Sequence, residues 1–258
     1  MKNSWVLAWK DLTSYFRSWT GVLACFFFLV IAGVFLSLLV ISFAHLSMEA
    51  SRGPADSFQG LGLTRFVFGS FFLNIGTILI FLVPILSMRA FAEERRHQTL
   101  ELLFTYPFSD FEIVWGKYLG MIFFFQILTL PILFFVWFVH GLGLTLDWGP
   151  IAFGFLGFWL LGCAYLSLGL FISSISENQV ISAIVTFGCL LIFWILEWVA
   201  GVADGSWAHF FAALSPIRHY RDFTFGIFDM SDFVYFCFFN LYFLFLTLRA
   251  IETRNWKG

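Results

Sequence analysis

Residues 89–103 read RAFAEERRHQTLELL, a cluster of charges that separates two long runs of Phe, Leu and Ile. The chain has 258 residues, of which 60% are hydrophobic and only 12% are charged. A soluble domain has about 25% charged residues, so this chain has too few polar groups to cover a surface that faces water. We therefore predict that lipid surrounds most of the chain. The net charge of −2 gives no indication of a nucleic-acid partner.

The apolar runs on both sides of this stretch are long enough to cross a bilayer, which requires roughly 20 apolar residues per helix. Six such runs cover residues 20–44, 66–88, 118–140, 150–172, 180–200 and 233–250. They predict an all-α polytopic membrane protein with six transmembrane helices, forming a single transmembrane domain over residues 1–258.

Polar residues at the ends of these runs indicate where helices begin. The sequence SDFE at 109–112 is a capping box, which predicts a helix that starts near Asp110 and continues into the third span. We predict a second capping box in SENQ at 176–179 for the fifth span, and a cap in SD at 231–232 for the sixth.

Two segments outside the spans also have helical patterns. Residues 1–19 place aromatic and apolar side chains at helical intervals with charges between them, which predicts an amphipathic interfacial helix. The segment 201–232 contains SWAHFFAAL and SPIRHYRDFTFG, which predict two short helices. The second has Ser215 as N-cap, Pro216 at its first position and Gly226 as its stop.

The distribution of Lys and Arg predicts the orientation, because these residues favour the cytoplasmic side. With the N-terminus inside, ten of the 14 Lys and Arg residues lie in inner segments and four in outer segments. The inner ones are Lys2, Lys10, Arg17, Arg89, Arg95, Arg96, Lys117, Arg249, Arg254 and Lys257, and the outer ones are Arg52, Arg65, Arg218 and Arg221. Six spans then place both termini in the cytoplasm.

The charged segment 89–117 has two interpretations. It could be a solvated loop, but a simple connector needs only a few residues. It could also be a docking surface, because a helix with charges on one side and exposed Leu and Phe on the other, held outside the lipid, suits a protein partner. Physical chemistry favours the second interpretation, and it does not identify the partner.

The stretch RAFAEERRHQTLELLFTYPFSDFEIVWGKYLG at 89–120 resembles the signature of ABC-2 type permeases, and within them most closely the gliding-motility-type group. Three later segments are similar to that group and occur in the same order: SSISENQV at 173–180, HYRDFTFGIFDMSDFVYF at 219–236 and LFLT at 244–247. The sequence departs from the pattern at Gln98, where such permeases usually have glycine.

The resemblance implies that two six-span subunits pair, as two copies or two related chains, in a bacterial cytoplasmic (inner) membrane. It also implies that a separate cytoplasmic ABC ATPase, which binds ATP and Mg²⁺, docks on the loop 89–117 and on the N-terminal helix. The positions matched to coupling are Glu93, Glu94, Arg95, Thr99, Leu100, Glu101 and Leu102, with Pro107 and Gly116 shaping the return into the third span. We expect no cofactor in this chain, because Phe111 and Tyr118 replace residues that a phosphate-binding loop at Gly116–Lys117 requires.

Four polar residues fall inside or at the edge of the predicted spans: Asn74, Gln126, Glu197 and Asn240. Ionisable groups inside a membrane are candidates for function. Glu197 could anchor the outer interface, or it could take part in a helix–helix contact or a transport pathway. The three amides are interpreted as interhelical hydrogen-bond partners in preference to substrate ligands.

Together these patterns predict the membrane-spanning permease subunit of an ABC exporter, which is not itself an enzyme. The alternative is a non-transporting scaffold, in which the same ATPase drives an extracytoplasmic or motility machinery and an auxiliary protein binds outside. An ion-coupled carrier would need an intramembrane charge relay, for which one glutamate is little support. An intramembrane enzyme would need paired catalytic residues, and the sequence presents none.

Overall fold

A computed structural model describes residues 2–50, 62, 64–96, 109–141 and 146–255. Within these ranges every regular element is helical. The helices are α1 (Lys2–Arg17), α2 (Trp19–Ala50), a π-helix (Thr64–Gly69), α3 (Ser70–Ser87), α4 (Ala92–Arg96), α5 (Asp110–Gly141), α6 (Trp148–Ile175), α7 (Gln179–Val202), α8 (Ser206–Leu214), α9 (Pro216–Thr224) and α10 (Met230–Asn255).

Six helical stretches are long and apolar enough to cross a membrane, which confirms the predicted all-α class with six spans. They are α2, the stretch 64–94 that contains the π-helix, α3 and the start of α4, and the helices α5, α6, α7 and α10. Both α2 and α5 contain 32 residues. At 1.5 Å per residue each is roughly 48 Å long, so each extends beyond a hydrocarbon core about 30 Å thick. The division into one domain stays a prediction.

Helix α6 is the centre of the bundle. In an apolar 18-residue stretch of α6, 78% of the residues are buried, against 22% for α2 and 17% for α7. Its glycines permit close approach: a Cβ atom at Gly157 would lie only 2.4 Å from Cβ of Phe223 on α9. Small residues at helix interfaces in membranes let helices pack by van der Waals contact. Consequently α6 is the central packing partner of α3, α7, α9 and α10.

The starts of α5, α7 and α10 test three predicted caps. At α5 the capping box is confirmed, because the Glu112 amide donates to Ser109 Oγ at 3.3 Å and the Ser109 amide donates to Glu112 Oε2 at 3.3 Å. At α7 the predicted SENQ box is wrong: the N-cap is Asn178, whose Oδ1 accepts from the Val180 amide at 2.9 Å. Asn178 is also a strong cap residue, and it lies directly before the helix.

The SD cap predicted for α10 is also wrong, because the helix begins at Met230, before both of these residues. Asp229 Oδ1 accepts from the Ser231 amide at 2.9 Å, which leaves Asp232 inside the first turn. An aspartate in a first turn is favoured by the helix dipole, so the sequence pattern alone does not separate the two positions.

The segment between α7 and α10 forms the two short helices α8 and α9. Ser215 occupies the N-cap position of α9 and Pro216 its first position, as predicted. Gly226, with φ +80°, lies beyond its end; the Gly226 amide donates to the Phe223 carbonyl and the Ile227 amide to the Asp222 carbonyl. This is a Schellman motif, which stops the helix. Tyr220 is fully buried and its hydroxyl donates to the Phe72 carbonyl at 2.6 Å.

Helix α1 is separated from α2 by Ser18 and packs along the first half of α5. Its position at a membrane interface stays a prediction. The predicted coupling helix between the second and third spans corresponds in part to α4, while residues 97–108 of that loop lie outside the described residues.

Candidate functional site

The close contact between α1 and α5 depends on two glycines four residues apart, Gly116 and Gly120. A Cβ atom at Gly116 would lie 2.9 Å from both Leu7 Cβ and the Ser4 carbonyl oxygen. A Cβ atom at Gly120 would lie 3.0 Å from the Ala8 carbonyl oxygen. The α1 backbone therefore lies directly on the α5 backbone, as in other small-residue helix contacts.

Lys117, between these glycines, is the central residue of the site and is only 2% exposed. Its Nζ lies 2.9 Å from Glu94 Oε1 and 3.6 Å from Asp11 Oδ2, and it donates to the Ala90 carbonyl at 2.6 Å. It also lies over the Phe91 ring, 5.0 Å from the ring centroid. A buried ammonium is tolerated only with such paired and hydrogen-bonded partners.

We call residues 88–94 the loop base, because they join the end of α3 to α4 and the loop beyond. Lys117 connects the loop base to α5, and Asp11 connects the same ammonium to α1. Burial raises the pKa of the Asp11 carboxyl, and this effect outweighs the opposing attraction of Lys117. One buried cation thus binds three segments that are far apart in the sequence.

Further contacts attach the loop base to α1. Tyr15 donates its hydroxyl hydrogen to the Leu86 carbonyl at 3.0 Å, in the last turn of α3 just before the loop base, and burial raises the pKa of this phenol. The Arg89 guanidinium donates to Ser18 Oγ, at the junction of α1 and α2. Arg89 Nε also lies 3.9 Å from Glu93 Oε2, one helical turn further along. These bonds place the loop base against the N-terminal helix.

A serine on α6 provides the contact with the central helix. Ser173 Oγ accepts from the Phe91 amide at 3.0 Å and from the Ala92 amide at 3.3 Å. The same hydroxyl lies 3.5 Å from the Met88 carbonyl, to which it donates. Ser173 therefore caps the first turn of α4 from another helix, satisfying amides that α4 leaves without an intrahelical partner.

A cavity of about 150 Å³ lies in this cluster. Its lining combines three basic and three acidic side chains with Ser14, Tyr15 and Ala90: Lys10, Arg89 and Lys117 with Asp11, Glu93 and Glu94. Because the formal charges cancel, the arrangement suits an internal electrostatic joint better than a site for a charged ligand. Among the described residues, no group of three or more His, Cys, Asp or Glu side chains is arranged to hold a metal ion.

The structure describes only three of the residues that the resemblance matches to coupling: Glu93, Glu94 and Arg95. Glu94 lies in the ionic cluster, and Glu93 beside it is about one-third exposed. Arg95 lies in α4, and only its backbone is described. The remaining coupling residues, Thr99, Leu100, Glu101, Leu102 and Pro107, lie outside the described residues, so their predicted role stays a prediction.

The four intramembrane polar residues lie apart from this cluster. Asn74 Nδ2 donates to the Ser70 carbonyl at 2.8 Å within its own helix. Asn240 Nδ2 likewise donates to the Phe236 carbonyl at 2.8 Å, and its Oδ1 accepts from the Tyr118 hydroxyl of α5 at 2.5 Å. Gln126 is half-buried in α5. Glu197 Oε1 pairs with Nη2 of Arg221 on α9 at 2.5 Å.

Sequence reasoning did not identify Lys117, Asp11, Tyr15 or Ser173 as members of a site. Lys117 was counted among the ten inner basic residues and was considered as part of an incomplete phosphate-binding loop. A usable signal was present in GKYLG at 116–120, where a lysine stands between two glycines within an apolar helix. Such a lysine is costly in lipid and therefore requires a carboxylate partner, although the sequence does not say which one.

Six long apolar helices, with α6 at their centre and an ionic cluster between the loop base, α1 and α5, define a multi-pass α-helical membrane protein. The chain matches the family described as ABC-2 family transporter protein over residues 5–251. Because this match covers nearly the whole chain, the protein belongs to that family. It is accordingly a permease subunit of an ABC transporter, a membrane transport component and not a catalytic enzyme by itself. No curated protein gives a significant match.

Proposed function

We propose that this chain is the membrane-spanning subunit of an ABC exporter, driven by a separate cytoplasmic ABC ATPase that docks on the loop 89–117. The observation that carries the proposal is the attachment of the loop base to three helices at once. Lys117 joins it to α5, Asp11 of α1 pairs with the same ammonium, and Ser173 joins it to α6. A displacement of the loop is thereby passed to helices that cross the membrane.

The path of the displacement follows from the bonds. Movement of residues 97–108 by the partner pulls on α4, whose first turn is capped by Ser173 on the central helix α6. The same movement pulls Glu94 and the Ala90 carbonyl, both bonded to Lys117 on α5. Buried pairs resist separation, because each isolated charge would lose its partner in a medium of low dielectric. The loop base and the ends of α5 and α6 that are bonded to it therefore move together.

The partner binds ATP and Mg²⁺, as the family implies, and this chain provides the surface on which the partner docks. Glu93 and the leucines at 100 and 102 are the proposed contacts, together with exposed residues of α1 such as Lys10 and Trp9. We further propose that a second permease subunit completes the pathway, that both termini are cytoplasmic, and that the membrane is a bacterial inner membrane. The similarity to the gliding-motility group belongs to the same proposal.

One observation supports the alternative of a non-transporting scaffold. The helices α8 and α9 are fixed to the bundle by Tyr220 and by the Glu197–Arg221 pair, so they offer a built surface opposite the loop base to an auxiliary protein. Solute flux distinguishes the two functions. ATP-dependent movement of solute across proteoliposomes supports the exporter, whereas ATPase coupling without any flux supports the scaffold.

The docking proposal is tested by co-purification of an ABC ATPase with full-length permease in its native membrane. Glu94 is an unsuitable position for a charge reversal, because Glu94→Lys would place a cation beside buried Lys117. Glu93→Lys and Leu102→Asp are better variants, since interface energy is concentrated in a few contact residues. Each should lower ATPase recovery and stimulated ATP hydrolysis by tenfold or more, on the order of 2 kcal/mol of binding.

The matched control is Asp56→Lys, which introduces the same charge change on the proposed outer side and should leave ATPase recovery unchanged. Amounts of permease in the membrane fraction verify that each variant inserts. Full ATPase recovery with both inner variants would contradict docking on this loop and return the segment to an ordinary solvated connector.

A further inference from the structure

The short helices α8 and α9, residues 206–224, form a cap over one end of the bundle, away from the loop base. Two side-chain bonds to the cap come from α10: the Tyr235 hydroxyl donates to the Leu214 carbonyl at 2.9 Å, and Asp232 Oδ1 lies 2.6 Å from His219 Nδ1. His219 is therefore the cap residue that faces a carboxylate of the last spanning helix.

Both ring nitrogens of His219 face acceptors. Nδ1 faces the Asp232 carboxylate, and Nε2 lies 3.1 Å from the Ala213 carbonyl oxygen. A neutral imidazole has a single N–H, so one of its nitrogens would direct a lone pair at an oxygen; the imidazolium donates at both positions. The geometry of the cap therefore fits the protonated ring.

The surroundings of Asp232 favour the same protonation state. Asp232 is 5% exposed, and its second oxygen, Oδ2, has no hydrogen-bond partner. A buried carboxylate of this kind needs a counter-charge. The His219 ring also stacks on Tyr235, with centroids 4.0 Å apart and an angle of 21° between the planes, and an aromatic face attracts a cation.

Other charged and titratable groups lie on α9 itself and on the elements that pack against it. They are Arg65 on the π-helix, Tyr165 on α6, Cys189 and Glu197 on α7, His209 on α8, Arg218, Tyr220, Arg221 and Asp222 on α9 itself, Asp229 before α10, and Asp232, Tyr235 and Cys237 on α10. The contacts to the ring come from Asp232 and Tyr235. Arg221 is engaged with Glu197.

We propose that His219 is a proton-operated latch between the cap and α10. The protonated ring bridges Asp232 and the Ala213 carbonyl and so connects α8, α9 and α10; loss of the proton removes one of the two bonds and loosens the cap, which the Tyr220 and Tyr235 bonds still hold to the bundle. The protonated ring has two N–H donors and the neutral ring has one, so the latch is closed at low pH and opens as pH rises. The inference does not depend on the proposed function.

Hydrogen exchange of the full-length protein in lipid nanodiscs tests the latch. Peptides covering 206–226 are followed at about pH 5.5 and about pH 8, on either side of the pH near 6.5 at which an unperturbed imidazole titrates. Rates are corrected for the intrinsic pH dependence of amide exchange. We expect exchange on the order of tenfold faster at the higher pH, as loss of a charge-assisted hydrogen bond implies.

His219→Gln should abolish this pH response and leave the segment at the faster rate at both pH values. His209→Gln is the matched control, because His209 is a second histidine of the cap and should leave the response intact. Equal protection of 206–226 at both pH values in the unmodified protein would overturn the latch, and so would a full pH response in His219→Gln. If His219→Gln does not fold, the first comparison decides alone.

Discussion

Substitution of Lys117 by Met tests the ionic joint, which consists of Lys117, Asp11 and Glu94, at its central residue. The change keeps an unbranched side chain of similar length and removes the ammonium. Asp11 and Glu94 then remain near each other without the cation that separates them, and the Ala90 carbonyl loses its donor. We predict that the loop base detaches from α5 while the six spans stay inserted in the membrane.

The magnitude follows from the distance and the burial. At 2.9 Å and an effective dielectric constant near 20, the attraction between Lys117 and Glu94 is at most about 6 kcal/mol. Removal of one partner from a buried ion pair typically costs about 3–5 kcal/mol. We expect a loss in that range in the free energy of unfolding, measured by reversible denaturation in mixed micelles, together with faster hydrogen exchange over 88–96.

Lys10→Met is the matched control. Lys10 Nζ lies 3.6 Å from the same Glu94 oxygen, but its side chain is 62% exposed, so the substitution should cost about 0–1 kcal/mol. Adding Glu94→Gln to Lys117→Met should recover part of the loss, because it removes a buried charge that has lost its nearest counter-charge. Equal stabilities of Lys117→Met and Lys10→Met would refute the reasoning that burial, and not proximity alone, makes this pair structural.

Three further predictions concern packing, topology and the cap. Gly157→Ala should destabilise the protein by about 1–3 kcal/mol, because its Cβ atom would lie 2.4 Å from Cβ of Phe223, whereas Gly188→Ala, with open space around it, should not; thermal denaturation compares the two. Single cysteines at 56 and 204 should react with an impermeant reagent applied outside, and one at 95 should not; labelling at 95 would reverse the proposed orientation. Tyr220→Phe should cost about 1 kcal/mol, through loss of the bond to the Phe72 carbonyl, and equal melting temperatures of variant and parent would exclude that contribution.

The apolar runs made the six helices predictable, because a span of about 20 residues without charge has few alternatives. The start of α5 was predictable for a local reason: Ser109 and Glu112 are three residues apart and cap each other. The start of α7 was mispredicted for the same local reason, because SENQ offers both Ser176 and Asn178 as caps and only the fold decides between them. Local chemistry thus determines that a helix begins, and its surroundings determine the residue.

The ionic joint was not predictable, because its members come from three distant parts of the chain. A lysine in an apolar helix indicates that a carboxylate lies nearby, but the choice of Asp11 and Glu94 depends on how closely α1 approaches α5. That approach depends on Gly116 and Gly120, and a glycine in an apolar helix does not by itself predict a close contact with another helix. Glu197 shows the same limit, since its partner Arg221 lies on a short helix whose orientation the sequence does not specify.

The central claim, that an ABC ATPase docks on the loop 89–117 of this permease, is tested most directly by site-specific photocrosslinking in native membranes. A photoreactive residue replaces Leu102, and a second preparation carries it at position 56 as the control. Mass spectrometry identifies the crosslinked chains. The account predicts that a polypeptide with nucleotide-binding ATPase motifs is captured from position 102 and not from position 56. An intact complex in which position 102 captures no such ATPase, or in which both positions capture it equally, would contradict it.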